Sequence, residues 1–207
     1  LEIVIKGTDD KITVKNYFVD YTRVNQKNDG AVERFEFSDG TVLTTQDVID
    51  QVRIRHGSDG DNCLSGLSDV ENILYGDAGN DELFGSGGND TLIGGRDDDA
   101  LYGGCGDDVY IFNKGDGVDR VYEHGGNDTI RFGHDTVDVI FERVDYDLRV
   151  RMPGSLDTIT INSWYQSDNY KIEKFTSNDG QIITNTRIES LIQAMAGFQK
   201  DSGMSWE

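Results

Sequence analysis

The sequence predicts a mainly β fold, in which a parallel β-roll of nonapeptide repeats is flanked by two small β-rich capping modules that each end in a short helix. Three observations lead to this prediction: a nine-residue repeat in the middle of the 207-residue chain, alternating apolar residues on both sides of it, and an ungapped match between the two flanks. We expect an N-terminal module over residues 1–56, the roll over 57–133, and a C-terminal module, homologous to the first, over 134–207.

The acidic charge of the chain is concentrated in its middle. The chain has 39 acidic and 19 basic residues, and residues 57–133 hold 17 of the acidic residues, 4 of the basic ones and 18 of the 25 glycines. Because nucleic acids attract basic surfaces, we expect no nucleic-acid partner. We also expect no transmembrane segment, since no apolar run is long enough to span a bilayer. A composition rich in Gly and Asp predicts disorder when it is considered alone. An ordered structure in this block must therefore depend on the regular spacing of these residues.

The central block repeats with a period of nine residues. Four ungapped copies, at 76–84, 85–93, 94–102 and 103–111, follow the pattern G-G-x-G-x-D-x-U-x, in which U is a large apolar residue. Four less regular copies adjoin them, at 57–65, 66–75, 114–122 and 123–131. Glycines at positions one, two and four allow a tight turn with exposed carbonyl groups. Positions seven to nine then form a short strand whose apolar side chain faces inward.

The odd period places successive turns on opposite edges of a flattened coil, so that copies n and n+2 stack about 4.8 Å apart. The position-six carboxylates therefore form two columns. We expect one column of Asp81, Asp99 and Asp119 and a second column of Asp90, Asp108 and Asp128. Like charges at this spacing repel strongly, and a divalent cation between neighbouring turns would convert the repulsion into attraction. Oxygen ligands favour calcium over zinc, which prefers His or Cys, and over magnesium, which requires a tighter octahedron.

The repeat resembles that of the RTX family, whose nonapeptide binds calcium. The resemblance implies that about four to six ions lie between copies n and n+2, held by position-six side chains and by backbone carbonyls of the turns. It carries these roles over to the acidic and amide residues Asp59, Asn62, Asp77, Asp81, Asp90, Asp97, Asp99, Asp108, Asp119 and Asp128. It also carries them over to the turn residues Gly57, Gly76, Ala78, Gly79, Gly85, Gly87, Gly88, Gly94, Gly95, Gly103, Gly104, Gly106, Gly115, Gly117 and Gly126.

Some copies depart from the family pattern. Asp97 occupies a glycine position, and Asn62 and Asn72 lack the charge of the aspartate that they replace. We therefore expect the strongest calcium sites in the middle of the block and weaker or empty ones near Asn72.

The two flanks of the block are copies of each other. Residues 1–18 align without gaps on 148–165, and residues 32–44 align on 172–184. Alternating apolar residues predict half-buried strands with hairpin turns at Asp39-Gly40 and Asp179-Gly180. Amphipathic segments predict helices over 46–54 and 187–198.

The flanks resemble the haemolysin-type calcium-binding-protein-related segment that adjoins RTX blocks. Because a coil of repeats has open ends with unpaired strand edges, we assign the flanks to capping. The alternative is that they bind a ligand through aromatic residues such as Tyr17, Phe18, Trp164 and Tyr165.

No catalytic motif is present: the sequence lacks H-E-x-x-H, G-x-S-x-G and the P-loop pattern, so we expect neither catalytic residues nor an enzyme activity. The family resemblance implies a calcium-induced folding module of a large secreted or cell-surface bacterial protein, toxin-like, haemolysin-like or iron-regulated, that leaves the cell through type I secretion machinery. The strand-like start without Met indicates a fragment of that protein. The alternatives are the non-catalytic secretion and stability module of a secreted enzyme, or a spacer or glycan-binding unit of an adhesin. The sequence gives no support for a glycan or host-cell partner.

Overall fold

The computed structural model describes residues 2–4, 11–13, 34–36, 40, 42–133 and 139–202. The chain divides into two compact units, Leu1–Val52 and Arg53–Glu207. The limits of the roll at residues 57 and 133 stay predictions. Tyr17 and Phe18, which the sequence suggests as ligand contacts, lie outside the described residues.

The described residues of the first unit form two strand pairs and a helix. Its elements are β1 (Glu2–Val4), β2 (Lys11–Thr13), β3 (Arg34–Glu36), β4 (Val42–Thr44) and α1 (Thr45–Val52). β1 pairs with β2 and β3 pairs with β4, both antiparallel. The side chains of Thr44 and Asp47 cap α1 reciprocally, because each accepts a hydrogen bond from the backbone N–H of the other, at 3.2 and 2.7 Å. The predicted end of this helix at residue 54 is wrong, because Ile54 already begins the next strand.

Nine parallel strands of the second unit alternate between two sheets. They are β5 (Ile54–Ser58), β6 (Cys63–Ser65), β7 (Ile73–Ala78), β8 (Glu82–Ser86), β9 (Thr91–Arg96), β10 (Ala100–Gly104), β11 (Val109–Phe112), β12 (Val118–Tyr122) and β13 (Thr129–Phe132). Each strand pairs with the strand after next, so that Leu83 lies beside Leu101 and Leu92 beside Tyr110. This is the n to n+2 stacking that an odd period predicts, and the predicted parallel β-roll is confirmed.

The strands after residue 139 continue the same two sheets. They are β14 (Ile140–Val144), β15 (Asp147–Arg151), β16 (Thr158–Ile161), β17 (Lys174–Thr176) and β18 (Ile182–Thr184), and helix α2 (Asn185–Ser202) follows them. β16 pairs in parallel with β12, and β17 pairs in parallel with β13. β15 and β14 then add to one sheet and β18 to the other as antiparallel strands. The helix is longer than the predicted 187–198 at both ends.

The hydrophobic core runs along the inside of the coil. The side chains at position eight of the eight copies are at most 9% exposed, and they are Leu64, Leu74, Leu83, Leu92, Leu101, Tyr110, Val121 and Ile130. Full burial of each such side chain contributes about 1.5–3 kcal/mol. In the C-terminal segment the core continues through Ile159, Ile161, Trp164 and Phe175. Neither helix, over the residues that can be described, combines the length and the apolar character that crossing a bilayer requires.

Candidate metal centre

The position-six aspartates lie at the two edges of the roll, where each turn enters its strand. Although they are acidic, these residues are only 0–3% exposed, and they are Asp81, Asp90, Asp99, Asp108, Asp119 and Asp128. A buried carboxylate must find partners, because removing an unpaired charge from water costs much free energy. The contacts of the two carboxylate oxygens therefore decide what these edges can bind.

One carboxylate oxygen of each aspartate is held by a ladder of backbone hydrogen bonds along the edge. The N–H of Asp81 donates to Oδ1 of Asp99 at 2.8 Å, and the N–H of Asp99 donates to Oδ1 of Asp119 at 3.0 Å. Two equivalent bonds of 2.8 Å join the aspartates of the other column. Each copy is thus tied to the copy after next through a position-six side chain.

The other carboxylate oxygen, Oδ2, is buried and lacks a hydrogen-bond partner in the described part of the chain. This holds for five of the six aspartates, Asp81, Asp90, Asp99, Asp108 and Asp128. Unpaired buried polar atoms are rare in folded proteins, and a repeated series of them points to a group that binds there.

The position-one glycines allow these unpaired oxygens to lie close to the backbone. A Cβ atom placed on Gly94 would overlap Oδ2 of Asp99. A Cβ atom on Gly76 would overlap both Oδ2 of Asp81 and the backbone carbonyl oxygen of Gly94. Carboxylate and carbonyl oxygens therefore converge beside a Cα atom that must carry no side chain, which only glycine provides.

The burial and mutual repulsion of the aspartates change their acidity. Burial, together with the nearby charge of other carboxylates, raises the pKa of Asp99 and of Asp108 to about 7. Burial raises the pKa of Asp119 to about 8, and the neighbouring charges of Asp99 and Asp116 act in the same direction. The raised pKa values show that the negative charge of these carboxylates is not compensated by nearby positive charge.

A third carboxylate joins the column at its C-terminal end. Glu123 takes the position-one place that glycine holds in the clean copies, and its side chain turns inward to accept a hydrogen bond from the hydroxyl of Tyr110. One oxygen each of Asp108, Glu123 and Asp128 lie within 4.8 Å of one another, and all three residues are buried. Burial and the charge of Asp128 raise the pKa of Glu123. The sequence analysis did not predict a role for Glu123. The signal that could have revealed it is an acidic residue at position one, where the repeat has glycine.

Asn72 fills its turn with its own amide group. Its Nδ2 lies within hydrogen-bonding distance of four oxygens: the carbonyls of Leu67, Val70 and Gly85, at 3.0, 2.8 and 3.2 Å, and Oδ1 of Asp90 at 2.8 Å. An amide N–H₂ group donates hydrogen bonds and carries no net charge. It therefore supplies donors at the place where the regular copies leave an aspartate oxygen unpaired.

A second ladder, which sequence reasoning also missed, runs along position five. The N–H of Asn80 donates to the side chain of Asp61 at 2.8 Å, that of Asp98 to Asn80 at 3.0 Å, and that of Val118 to Asp98 at 3.0 Å. In this ladder the later copy donates to the earlier one, whereas at position six the earlier copy donates to the later one. The recurrence of Asp or Asn at the nominally free position five is the signal that could have revealed it.

The remaining acidic residues that the sequence suggests as ligands lie on the surface. Asp59, Asp77 and Asp97 are exposed. Asp77 and Asp97 adopt positive φ angles of 75° and 80° at turn positions where the repeat prefers glycine. Their backbone carbonyl oxygens face Gly95 and Gly117 of the copy after next. Asp77 and Asp97 can thus contribute carbonyl oxygens to the turns, while the carboxylate of Asp97 accepts a hydrogen bond from the N–H of Gly79 at 3.2 Å and that of Asp77 lies 3.4 Å from Nδ1 of His56.

The donor set of these turns fits calcium. It consists of carboxylate and backbone carbonyl oxygens, and calcium accepts six to eight such ligands in flexible geometry, whereas zinc prefers nitrogen and sulfur. The unpaired Oδ2 atoms, and the carbonyl oxygens that converge with them at the position-one glycines, are oxygen atoms of these two kinds.

Two protein-family models match the chain. A haemolysin-type calcium binding protein related domain matches residues 1–47 and, again, residues 147–187. An RTX calcium-binding nonapeptide repeat model, which comprises four copies, matches residues 75–110. The matches cover both flanks and the clean copies between them.

Two known proteins are similar to part of this chain, one in sequence and one in structure. The cytolysin RtxA of Kingella kingae is 34% identical over 96 residues, which are 41% of this chain and 10% of the cytolysin. The crystal structure of the extracellular lipase LipA of Serratia marcescens aligns with a TM-score of 0.46 and 24% identity, over 63% of this chain and 20% of the lipase chain. The shared region is therefore about a tenth of the cytolysin and a fifth of the lipase.

Proposed function

Because the chain consists of RTX calcium-binding repeats between two haemolysin-type calcium-binding-protein-related segments, we propose that it is a calcium-induced folding module of a secreted bacterial protein. The family matches confirm both resemblances that the sequence indicates. The observation that carries the proposal is the series of buried Oδ2 atoms that have no partner in the described part of the chain and lie close to glycines and backbone carbonyl oxygens of the turns.

The repeats themselves prepare the sites. The two side-chain ladders fix the spacing of the turns, and the position-eight side chains hold the strands in register, so that the folded roll brings the acidic oxygens together. Bound calcium supplies the missing positive charge, and its binding free energy becomes folding free energy. At low calcium, repulsion within each column opposes folding.

We assign two ions to the middle of the block, where the clean copies lie. The first is held by Gly76, Ala78 and Asp81 of one copy and by Gly95, Asp97 and Asp99 of the copy after next. The second is held by Gly85, Gly87 and Asp90 and by Gly104, Gly106 and Asp108. Further ions lie between Asp99 and Asp119 and between Asp108 and Asp128, where Glu123 adds a carboxylate. The turn that Asn72 fills needs no ion.

The C-terminal segment caps the roll. Its strands β16 and β17 pair with the last strands of the two sheets, and antiparallel strands then end each sheet. Open strand ends invite pairing with other chains, so that a cap protects the coil. The N-terminal segment, which matches the same family model, serves as the corresponding cap of a repeat block.

We place this module outside the cell, in a protein that type I secretion machinery exports unfolded from a calcium-poor cytosol. Extracellular calcium modules have dissociation constants of about 0.1–1 mM, which suits folding after export. The similarity to a cytolysin favours a toxin-like parent protein, for which this chain is a non-catalytic part.

Removing one buried carboxylate charge is expected to weaken calcium-induced folding. Asp90→Asn and Asp99→Asn each keep the Oδ1 atom that accepts a ladder bond, from the N–H of Asn72 and of Asp81 respectively, but remove charge from an unpaired oxygen. Each should therefore raise the calcium midpoint of folding about tenfold. Far-UV circular dichroism during a calcium titration measures the midpoint.

The matched control is Asp69→Asn, because Asp69 is exposed and has a φ of 55°, a conformation that asparagine also adopts. It should leave the midpoint unchanged. Equal shifts in all three variants would show that the position-six aspartates have no special role in binding.

Without calcium, acid is expected to favour the folded roll. Burial raises the pKa of Asp99 and Asp119 to about 7 and about 8, whereas an unfolded aspartate titrates near about 4. The folded chain therefore binds more protons within this window, so its stability is greatest at low pH and is lost as the pH rises. Chelated protein should show more β-structure at about pH 4.5 than at about pH 7.5 by circular dichroism. Loss of structure on acidification would contradict this.

A further inference from the structure

A cavity of about 400 Å³ lies in the C-terminal segment, away from the repeat turns. It is formed by β14, by the loop that follows β16 and includes a short 3₁₀ helix (Asp168–Tyr170), and by the first half of α2. Its volume lies within the range of small-molecule sites. The calcium proposal makes no use of this cavity.

Two polar groups in the wall of the cavity are buried without partners. Trp164 is 0% exposed, and its indole N–H finds no acceptor among the residues that the structure describes. The hydroxyl of its neighbour Tyr165 is likewise buried and unpaired within the same residues. Both residues line the cavity. A ligand that offers both an acceptor and a hydroxyl would satisfy the two groups.

The charged groups around the cavity compensate one another. Lys171 Nζ bonds to Oδ1 of Asp168 and to Oε1 of Glu189, both at 2.7 Å. The guanidinium group of Arg143 lies over the ring of Tyr165, 4.2 Å from its centroid. Two cationic and two anionic side chains thus line the wall, so that the lining has no net charge to attract a charged ligand.

We propose that this cavity binds a neutral carbohydrate of one or two sugar rings. Its lining combines charged side chains, the amides of Gln166 and Gln193, the hydroxyl of Ser167 and the two unpaired groups, which suits a ligand with many hydroxyl groups. A lipid would leave the polar groups unpaired, and the balance of charge disfavours phosphorylated or uronic sugars. The proposal goes beyond calcium-induced folding and assigns a ligand to the capping segment.

The indole N–H resonance of Trp164 in ¹H–¹⁵N spectra of the calcium-saturated chain tests the proposal. The probes are glucose, galactose, N-acetylglucosamine, maltose and lactose, with glucuronate as the anionic comparison. At least one neutral sugar should shift this resonance saturably, with millimolar affinity, and glucuronate should bind more weakly than glucose. Trp164→Phe assigns the resonance, because Trp206 is the second tryptophan of the chain.

Two variants test the location of the site. Tyr165→Phe removes the unpaired hydroxyl and should weaken sugar binding about tenfold. Gln193→Ala changes an exposed residue of α2 that lines the cavity, so it probes the site without touching the core, and it should weaken binding about fivefold. Tyr75→Phe, in β7 of the roll, is the matched control and should leave binding unchanged.

The proposal is overturned if no neutral sugar shifts the Trp164 resonance, because the cavity then holds only water. Tighter binding of glucuronate than of glucose overturns the assignment of a neutral ligand. Unchanged sugar affinity in Gln193→Ala and in a folded Tyr165→Phe places the sugar elsewhere. Circular dichroism of each variant in the presence of calcium shows whether the variant is folded. A chain that folds with calcium but does not bind sugar contradicts the sugar proposal alone, whereas a chain that does not respond to calcium contradicts the calcium proposal.

Discussion

Chelation of calcium at neutral pH is expected to unfold the β-roll. Each ion that binds only the folded state, at a concentration about 100 times its dissociation constant, stabilises that state by about 2.7 kcal/mol. The two ions assigned to the clean copies would thus supply about 5 kcal/mol, which equals the lower end of the whole stability of an ordinary domain. Without them the buried carboxylates repel one another, and their unpaired oxygens remain without compensation.

Far-UV circular dichroism, recorded as calcium is added to chelated protein, measures this effect. A cooperative gain of β-structure is expected with calcium, and magnesium should not replace it, because magnesium requires a tighter octahedral shell. A chelated sample that keeps its full β-signal at neutral pH would refute the role of calcium in folding.

Substitution of Gly94, which packs against Asp99, is expected to have the second largest effect on calcium-dependent folding. In Gly94→Ala the new methyl group would overlap the carboxylate of Asp99, so that both the turn and the calcium site must distort. Overpacking of this kind costs about 1–3 kcal/mol, and displacement of the ligand oxygen adds to the loss. The variant should require much more calcium to fold than the native chain.

Gly60→Ala is the matched control for this substitution. A Cβ atom at Gly60 has no atom of the described chain within 4 Å, and its φ lies outside the left-handed region. It should therefore fold at the calcium concentration of the native protein. A Gly94→Ala variant with an unchanged calcium midpoint would show that the space beside Asp99 does not serve metal binding.

The sequence predicts the roll well because its period encodes both the pairing and the core. An odd repeat assigns Leu83 and Leu101 to one sheet and Leu92 to the other, and a single inward position per copy suffices to build the interior. The same period predicts which aspartates stack. These are regular, local features that do not depend on the rest of the chain.

Other features depend on contacts between residues that are distant in the chain. The pairing of Val118 with Thr158, which joins the C-terminal segment to the roll, follows no period. Glu123 reaches the interior because Tyr110 replaces the usual leucine at position eight and offers a hydroxyl. The sequence predicts helices behind both hairpins, but their ends depend on where the neighbouring strand begins, as Ile54 shows.

The amide of Asn72 shows how one turn of the coil can satisfy its polar groups without a metal ion. Aspartate and asparagine have nearly the same shape, and they differ by one oxygen that becomes an N–H₂ group. That group needs acceptors of its own, and the irregular ten-residue copy around Asn72 supplies them through the carbonyls of Leu67 and Val70. The regular nine-residue copies keep the aspartate oxygen instead, so the identity of one side-chain atom separates a turn that is closed by the protein alone from a turn that can take up an ion.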